Sequence, residues 1–190
     1  DKNVANGKTV TVNGIALAGA DAANYVANTT TTTTANITPA SLTVTAAGVN
    51  KTYDTTTTAS VNLGLTALGS DSVTASNTSA NFSDKNVANG KTVTVNGIAL
   101  AGTDAANYVA NTSTTTTANI TPASLTVTAS GVNKTYDTTT TASVNLGLTA
   151  LGSDSVTASN TSASFSDKNV ANGKTVTVNG IALAGTDAVN

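Results

Sequence analysis

Apolar and polar residues alternate with a period of two over short stretches of this chain, the mark of strands with one buried face. The clearest stretch is Lys91-Thr92-Val93-Thr94-Val95, followed by Asn96-Gly97 and then by Ile98 and Leu100. An Asn-Gly pair between alternating runs favours a two-residue type I′ hairpin, because both residues accept positive φ. That turn sets Val95 opposite Ile98 and Val93 opposite Leu100, with all four on one face. The same hairpin is predicted at Asn13-Gly14 and Asn179-Gly180. Further strands are predicted at Leu42-Thr43-Val44-Thr45 and its copy from Leu125, and at Val61, Leu63 and Leu65. Tyr108-Val109-Ala110 and the threonine-rich run ending in Ala118-Asn119-Ile120-Thr121 complete the set. No window carries a helical period, and Thr and Val lose side-chain freedom in a helix.

The pattern itself repeats. The segment DKNVANGKTVTVNGIALAG starts at Asp1, Asp84 and Asp167; 84 less 1 and 167 less 84 are both 83. Residues 1–107 laid over 84–190 differ at Ala20/Thr103, Thr30/Ser113, Ala47/Ser130, Asn81/Ser164 and Ala106/Val189, with no insertion. A fixed period marks a tandem array. This one is too long for a solenoid coil of ~20–45 residues and suits a small domain with its own core. Pro39 and Pro122, the only two prolines, each fall between a threonine-rich strand and the next Leu-Thr-Val-Thr strand, where a central strand cannot hold them. The boundaries are therefore placed there: residues 1–38 are the C-terminal part of a module, 39–121 a complete module and 122–190 the N-terminal part of a further one. A window cut in this way is expected to belong to a longer array, and proline's fixed φ predicts stiff seams.

About seven short strands per module, separated by Gly, Asn, Asp and Ser, predict an all-β chain of tandem Ig-like β-sandwich modules of about 83 residues arranged as an elongated rod. Asp104-Ala105-Ala106-Asn107-Tyr108-Val109-Ala110 also has the spacing of the tyrosine corner of such domains, with Ala110 at the cysteine position. A parallel β-helix and other sandwich topologies are the alternatives.

Composition narrows the function. Hydrophobic residues make up 39% and the net charge is only −2, which argues against a disordered threonine-rich spacer. There is no cysteine, so no disulfide supports the modules. No apolar run approaches the ~18 residues of a membrane-spanning helix. Asp1 opens on no basic and apolar leader, so a secretion signal is expected outside this stretch. Eight basic residues, all lysine, against ten aspartates form no basic patch for phosphates, so no nucleic-acid partner is expected. His, Cys, Glu and Arg are all absent, which leaves proton transfer to Asp, Lys or Tyr, and no Ser or Thr has an evident base. The chain is expected not to be an enzyme.

Four features carry other chemistry. Asp71, Asp84 and Asp104 offer hard oxygens and are weak calcium candidates, but they are widely spaced and turn roles explain them more simply. No other metal or cofactor is expected. Lys51, Lys85 and Lys91 are candidates for an isopeptide crosslink to Asn or Asp. Thr92/Thr94, Thr43/Thr45 and Thr29 to Thr34 permit a flat hydroxyl face for ice or glycan, although the solvent side of an amphipathic strand looks the same. Triplets such as Asn36-Ile37-Thr38 reflect the abundance of Asn and Thr, and no glycan is assigned to them.

Asn133-Lys134-Thr135-Tyr136-Asp137-Thr138-Thr139, the stretch from Asp84 to Leu100, Gly102-Thr103-Asp104-Ala105-Ala106-Asn107-Tyr108 and Ile120-Thr121-Pro122 together resemble the YDG/MBG-type repeat modules of very large haemagglutinin-like adhesins and exoproteins of Gram-negative bacteria. The resemblance covers the whole chain. Tyr53-Asp54-Thr55 and Tyr136-Asp137-Thr138 depart from the family's Tyr-Asp-Gly, and Thr tolerates positive φ poorly, so the family's turn is left open there. The resemblance implies an extracellular protein of the bacterial surface or biofilm matrix whose repeats extend a functional tip, and no catalytic residues. The expected role is a structural stalk, spacer or fibre-forming region of a secreted adhesin or biofilm matrix protein. Its partners would be neighbouring modules of the same chain, with lateral self-association into fibres as a second route. A ligand-binding repeat for glycan or ice, using a threonine-rich face, is the alternative.

Overall fold

A computed structural model describes residues 1–190. The chain is all-β, with 47% of residues in strands. Single turns of 3-10 helix at Ala22–Asn24 and Ala105–Asn107 are its only helical residues. The strands are β1 (Ala5–Asn13), β2 (Thr30–Ile37), β3 (Ala40–Leu42), β4 (Thr45–Val49), β5 (Lys51–Thr52), β6 (Ser60–Gly64), β7 (Thr74–Ser76), β8 (Ser79–Phe82) and β9 (Ala88–Asn96). They continue with β10 (Ala99–Ala101), β11 (Tyr108–Ala110), β12 (Ser113–Thr121), β13 (Thr128–Val132), β14 (Ser143–Gly147), β15 (Thr157–Ser159), β16 (Ser162–Phe165), β17 (Val176–Asn179) and β18 (Ala182–Ala184). One four-stranded sheet has the order β5-β12-β9-β8, and every other pairing is two-stranded. Only β3 with β11 and β5 with β12 run parallel among the registered pairs, which a coil of parallel rungs would not give.

The chain divides into two compact units. The first comprises Asp1–Ala47, Val61–Ala80 and Thr94–Thr116. In it β1 lies antiparallel to β2, β7 to β10, and β3 runs parallel to β11. Its buried apolar side chains are Leu42, Val44, Ala80, Val95, Ile98 and Tyr108. The second unit comprises Gly48–Ser60, Asn81–Val93 and Thr117–Asn190. In it β5 is parallel to the end of β12, while β13 pairs with β14, β15 with β18 and β16 with β17, all antiparallel. Tyr53, Phe82, Val93, Ala118, Ile120 and Ala163 are its buried apolar residues.

Most predicted strands form, but Thr43-Val44 falls between β3 and β4, and its copy from Leu125 stays outside strands until Thr128. The alternation does mark the buried face: Val93 and Val95 are fully enclosed while Thr92 and Thr94 face out. The predicted hairpins do not form. Strand β9 already has β12 on one side and β8 on the other, so neither edge is free for β10, which pairs with β7 instead. Asn96-Gly97 is a corner that carries the chain from one sheet to another. The amide of Thr78 bonds the Asn96 carbonyl at 3.1 Å, and Ile98 N–H reaches Thr112 O at 2.9 Å. Gly97 is required there, since its φ is +65° and a Cβ would stand 2.1 Å from Thr78 Oγ1. The counterparts Asn13-Gly14 and Asn179-Gly180 form no two-residue hairpin either: Asn13 pairs with Thr30 across a longer connection, and β18 pairs with β15. Ten strands, not seven, lie between residues 39 and 121. The additional ones (β5, β7, β8) are two to four residues long and built largely of small or polar side chains, too short to show a period.

Identical sequence does not mean identical burial. Val95 is 0% exposed, and its counterpart Val12 is 41% exposed. Strand β1 has a partner on one side only, so its valine face lacks the neighbours that enclose β9. No helix is long and apolar enough to cross a membrane.

Candidate functional site

The densest polar constellation is a lysine, a tyrosine and an aspartate, and it occurs once in each unit. In the first unit Lys2 Nζ bonds Asp71 Oδ1, and Tyr108 OH donates to Asp71 Oδ2 at 2.7 Å. The same tyrosine oxygen accepts from the Leu68 amide at 3.0 Å. Asp104 lies 3.4 Å from the Lys2 ammonium and caps the Ser72 amide at 2.9 Å. Close by, Val4 N–H donates to Asn107 Oδ1 at 2.9 Å. In the second unit Lys85 Nζ donates to Asp154 Oδ1 at 2.8 Å, and Tyr53 OH donates to Asp154 Oδ2 at 2.7 Å. The Lys85 ammonium also sits 5.6 Å from the centroid of the Tyr53 ring. Val87 N–H donates to Asn190 Oδ1 at 3.0 Å.

Electrostatics follow from these contacts. The lysine hydrogen bond, ahead of the tyrosine one, holds Asp71 and Asp154 below the usual carboxylate range. Burial first, and the carboxylate second, pushes the Tyr108 hydroxyl up; burial is likewise the leading cause for Tyr53. Lys85 is raised by Asp154 and then by Tyr53. The Asp154 side chain is only 5% exposed. Its charge is therefore matched by one ammonium and one hydroxyl in a largely dry setting, as a buried carboxylate requires.

A second recurring contact joins Asp84 to Lys91 at 2.6 Å, with copies at Asp1–Lys8 and Asp167–Lys174. A third is local. In Lys51-Thr52-Tyr53-Asp54-Thr55-Thr56 the Asp54 carboxylate accepts from Lys51 Nζ at 2.7 Å and from the Thr56 amide at 2.9 Å. The Lys51 ammonium also caps Thr56 O at 2.8 Å and lies 5.6 Å from the Phe82 ring. Lys134, Asp137, Thr139 and Phe165 repeat the arrangement. Lys51 draws the Asp54 carboxyl down to about 2, and Lys134 does the same to Asp137. Within each turn the residue after the aspartate, Thr55 or Thr138, adopts φ +68°. The turn left open by the missing glycine thus keeps a left-handed residue, with threonine forced into it.

The calcium candidates are only partly brought together. Asp71 and Asp104 share Lys2, so an ammonium occupies the place between them, while Asp84 is engaged by Lys91. No group of three acidic side chains assembles. Lys51, Lys85 and Lys91 each stand in an ion pair, with Asp54, Asp154 and Asp84 respectively. Tyr108 differs from a tyrosine corner: its hydroxyl bonds the 68–71 loop, and not the chain a few residues upstream. Tyr53 and the Lys85–Asp154 pair were not singled out by sequence as a site. The period of 83 marks them as copies of other positions but does not say whether a lysine bonds the aspartate of its own repeat or of the next one.

The fold is all-β and the sequence repeats in tandem. A family model for the YDG domain matches twice, over residues 38–117 and 121–190, and the chain belongs to that family. Comparison with curated proteins and with solved structures gave no match.

Proposed function

We propose that the chain is a stretch of the stalk, spacer or fibre of a secreted bacterial surface adhesin or biofilm matrix protein. Its modules would be Ig-like sandwiches set end to end as an elongated rod, extracellular, without catalysis and without a cofactor. The observation that carries this reading is the recurrence of one interlocking contact, Lys2 to Asp71 and Lys85 to Asp154, each across 69 residues. Lys85 lies in the first YDG match and Asp154 in the second, and a spacer needs such a contact at every seam. The lack of His, Cys, Glu and Arg also supports it, since little remains for proton transfer or nucleophilic attack. Shortening the repeat array in the producing cell and locating the tip by immuno-electron microscopy tests the reading. The tip should approach the surface in proportion to the repeats removed; a tip at unchanged distance would reject the spacer role.

A second reading rests on a different observation. On β1 and β2, Thr9 stands opposite Thr34 and Thr11 opposite Thr32, all exposed, which forms a small hydroxyl face. Thermal hysteresis or a glycan-array signal that disappears with Thr11→Val supports ice or glycan binding; silence in both assays removes it.

A further inference from the structure

Asn-Gly occurs at two places in the repeated segment, once early in the long strand and once at the corner that follows it. These are Asn6-Gly7 and Asn13-Gly14 in the first copy and Asn89-Gly90 and Asn96-Gly97 in the second. Asparagine before glycine is a chemically fragile pair, because no Cβ hinders the glycine nitrogen from reaching the asparagine carboxamide. The backbone does not separate the two places: Gly90 has φ +62° and Gly97 φ +65°. Hydrogen bonding of the glycine nitrogen does. Gly90 N–H donates to Asn119 Oδ1 at 2.8 Å, and Gly7 N–H donates to Asn36 Oδ1 at 2.8 Å. At the corners the Gly14, Gly97 and Gly180 amides donate to no acceptor, and each glycine and the asparagine before it are exposed. The corner is held by its flanking main chain instead. Thr78 donates to Asn96 O from its amide at 3.1 Å and from its hydroxyl at 3.2 Å, and Ile98 N–H donates to Thr112 O at 2.9 Å.

We propose that the Asn96-Gly97 corner, with its copies Asn13-Gly14 and Asn179-Gly180, is a site of spontaneous covalent modification by deamidation, and that the Asn119 and Asn36 side chains shield Asn89-Gly90 and Asn6-Gly7 from the same reaction. The Gly97 nitrogen gives its proton to water and attacks Asn96 Cγ. A C–N bond forms, the Cγ–Nδ2 bond breaks, and ammonia leaves with a proton taken from solvent. Water then opens the resulting succinimide ring at either carbonyl. One product is aspartate on the original main chain. The other is a β-linked aspartate, in which the main chain runs through the former side-chain carbonyl and is one methylene longer. No oxidant or enzyme is needed. The attack requires a nitrogen free to lose its proton and to move towards Cγ, and the Asn119 or Asn36 acceptor opposes both. Each conversion adds one negative charge to a chain whose net charge is −2. In the β-linked product the added methylene lies between the carbonyl that Thr78 holds and the amide that Thr112 holds. This inference stands whether or not the array acts as a spacer.

Ageing the 190-residue chain in mildly alkaline buffer, followed by cleavage at lysine and mass spectrometry, tests it. The corner peptides from Thr9, Thr92 and Thr175 differ in sequence and report separately. The strand peptide Asn-Val-Ala-Asn-Gly-Lys is the same in all copies, so Asn172→Gln is introduced to leave Asn6 and Asn89 as its only sources. Amide-to-acid conversion should be roughly fivefold or more faster at the corners than in that peptide, the effect of one hydrogen bond on the attacking nitrogen. In concentrated urea the two rates should become equal. Asn36→Ala with Asn119→Ala should raise the strand rate to the corner rate and leave the corners unchanged. Asn36→Asp with Asn119→Asp, which keeps the acceptor oxygens, should preserve the protection. Equal rates in the folded parent, or a strand pair that converts faster than the corners, would overturn the proposal. So would a strand rate that stays low in the double alanine variant, because the asparagine acceptors would then not be the shield. A tip at unchanged distance from the cell surface would reject the spacer reading without touching these rates.

Discussion

Thr138→Gly should make the protein more stable, although it removes a side chain and adds backbone freedom. Thr138 is held at φ +68°, where a Cβ crowds the following carbonyl at a cost of about 1–2 kcal/mol. The turn tolerates this because Asp137 Oδ1 accepts from the Thr139 amide and Lys134 Nζ, and Lys134 caps Thr139 O at 3.0 Å. Glycine removes the crowding but gives back roughly 0.5–1 kcal/mol through the more flexible unfolded chain. Thr138 is exposed, so no packing is lost. The balance is a net gain of about 0.5–1 kcal/mol, and at this chain length each kcal/mol moves Tm by about 2–4 °C. Calorimetry and urea titration should therefore place Thr138→Gly about 1–4 °C above the parent protein. Thr138→Ala, which keeps the Cβ, should recover little. Thr55→Gly should gain less than Thr138→Gly, because Thr55 is half-buried beside Gly152. A lower midpoint for Thr138→Gly, or an equal gain for Thr138→Ala, would refute the attribution of strain to the Cβ.

Three further outcomes follow from the geometry. Val95→Ala should cost about 2 kcal/mol in urea unfolding, from two carbons lost at a fully enclosed site, and Val12→Ala well under half of that. Equal effects would mean that the two copies are packed alike. Asp54 and Asp137 have folded pKa values of about 2, below the usual carboxylate value. Their stabilising effect is therefore complete above pH ~4 and disappears as pH falls towards the folded value. Stability measured against pH should fall over that acid window in the parent protein and be flatter with Asp54→Asn and Asp137→Asn together; parallel curves would show that these turns do not couple to folding. Gly102→Ala should destabilise far more than Gly7→Ala, since a Cβ at Gly102 would lie 2.3 Å from Ser72 O whereas one at Gly7 meets nothing within 4 Å. Similar losses in thermal melts would contradict the close approach.

Much of the strand content was legible because it depends on local alternation. Val93 and Val95 alternate with threonine, and both are enclosed. Partner choice was not legible in the same way. Asn96-Gly97 supplies the positive φ that a hairpin wants, but the same conformation serves a corner between sheets. What decides is that β12, more than fifteen residues further on, occupies one edge of β9 while β8 holds the other. The left-handed position after Asp54 was left open by the sequence, because threonine stands where the motif has glycine; its presence there shows that the surrounding hydrogen bonds override threonine's own preference. The Lys85–Asp154 contact was least legible. It links residues 69 apart, and repetition at a fixed period gives every lysine an equivalent aspartate in each repeat.

Small-angle scattering from arrays of increasing repeat number tests the proposed stalk role most directly. Strands of ~6–8 residues rise about 3.3 Å per residue, so the account predicts a maximum dimension that grows linearly, by a few nanometres per added repeat. A dimension that instead rises with the cube root of mass, as for a compact particle, would contradict it.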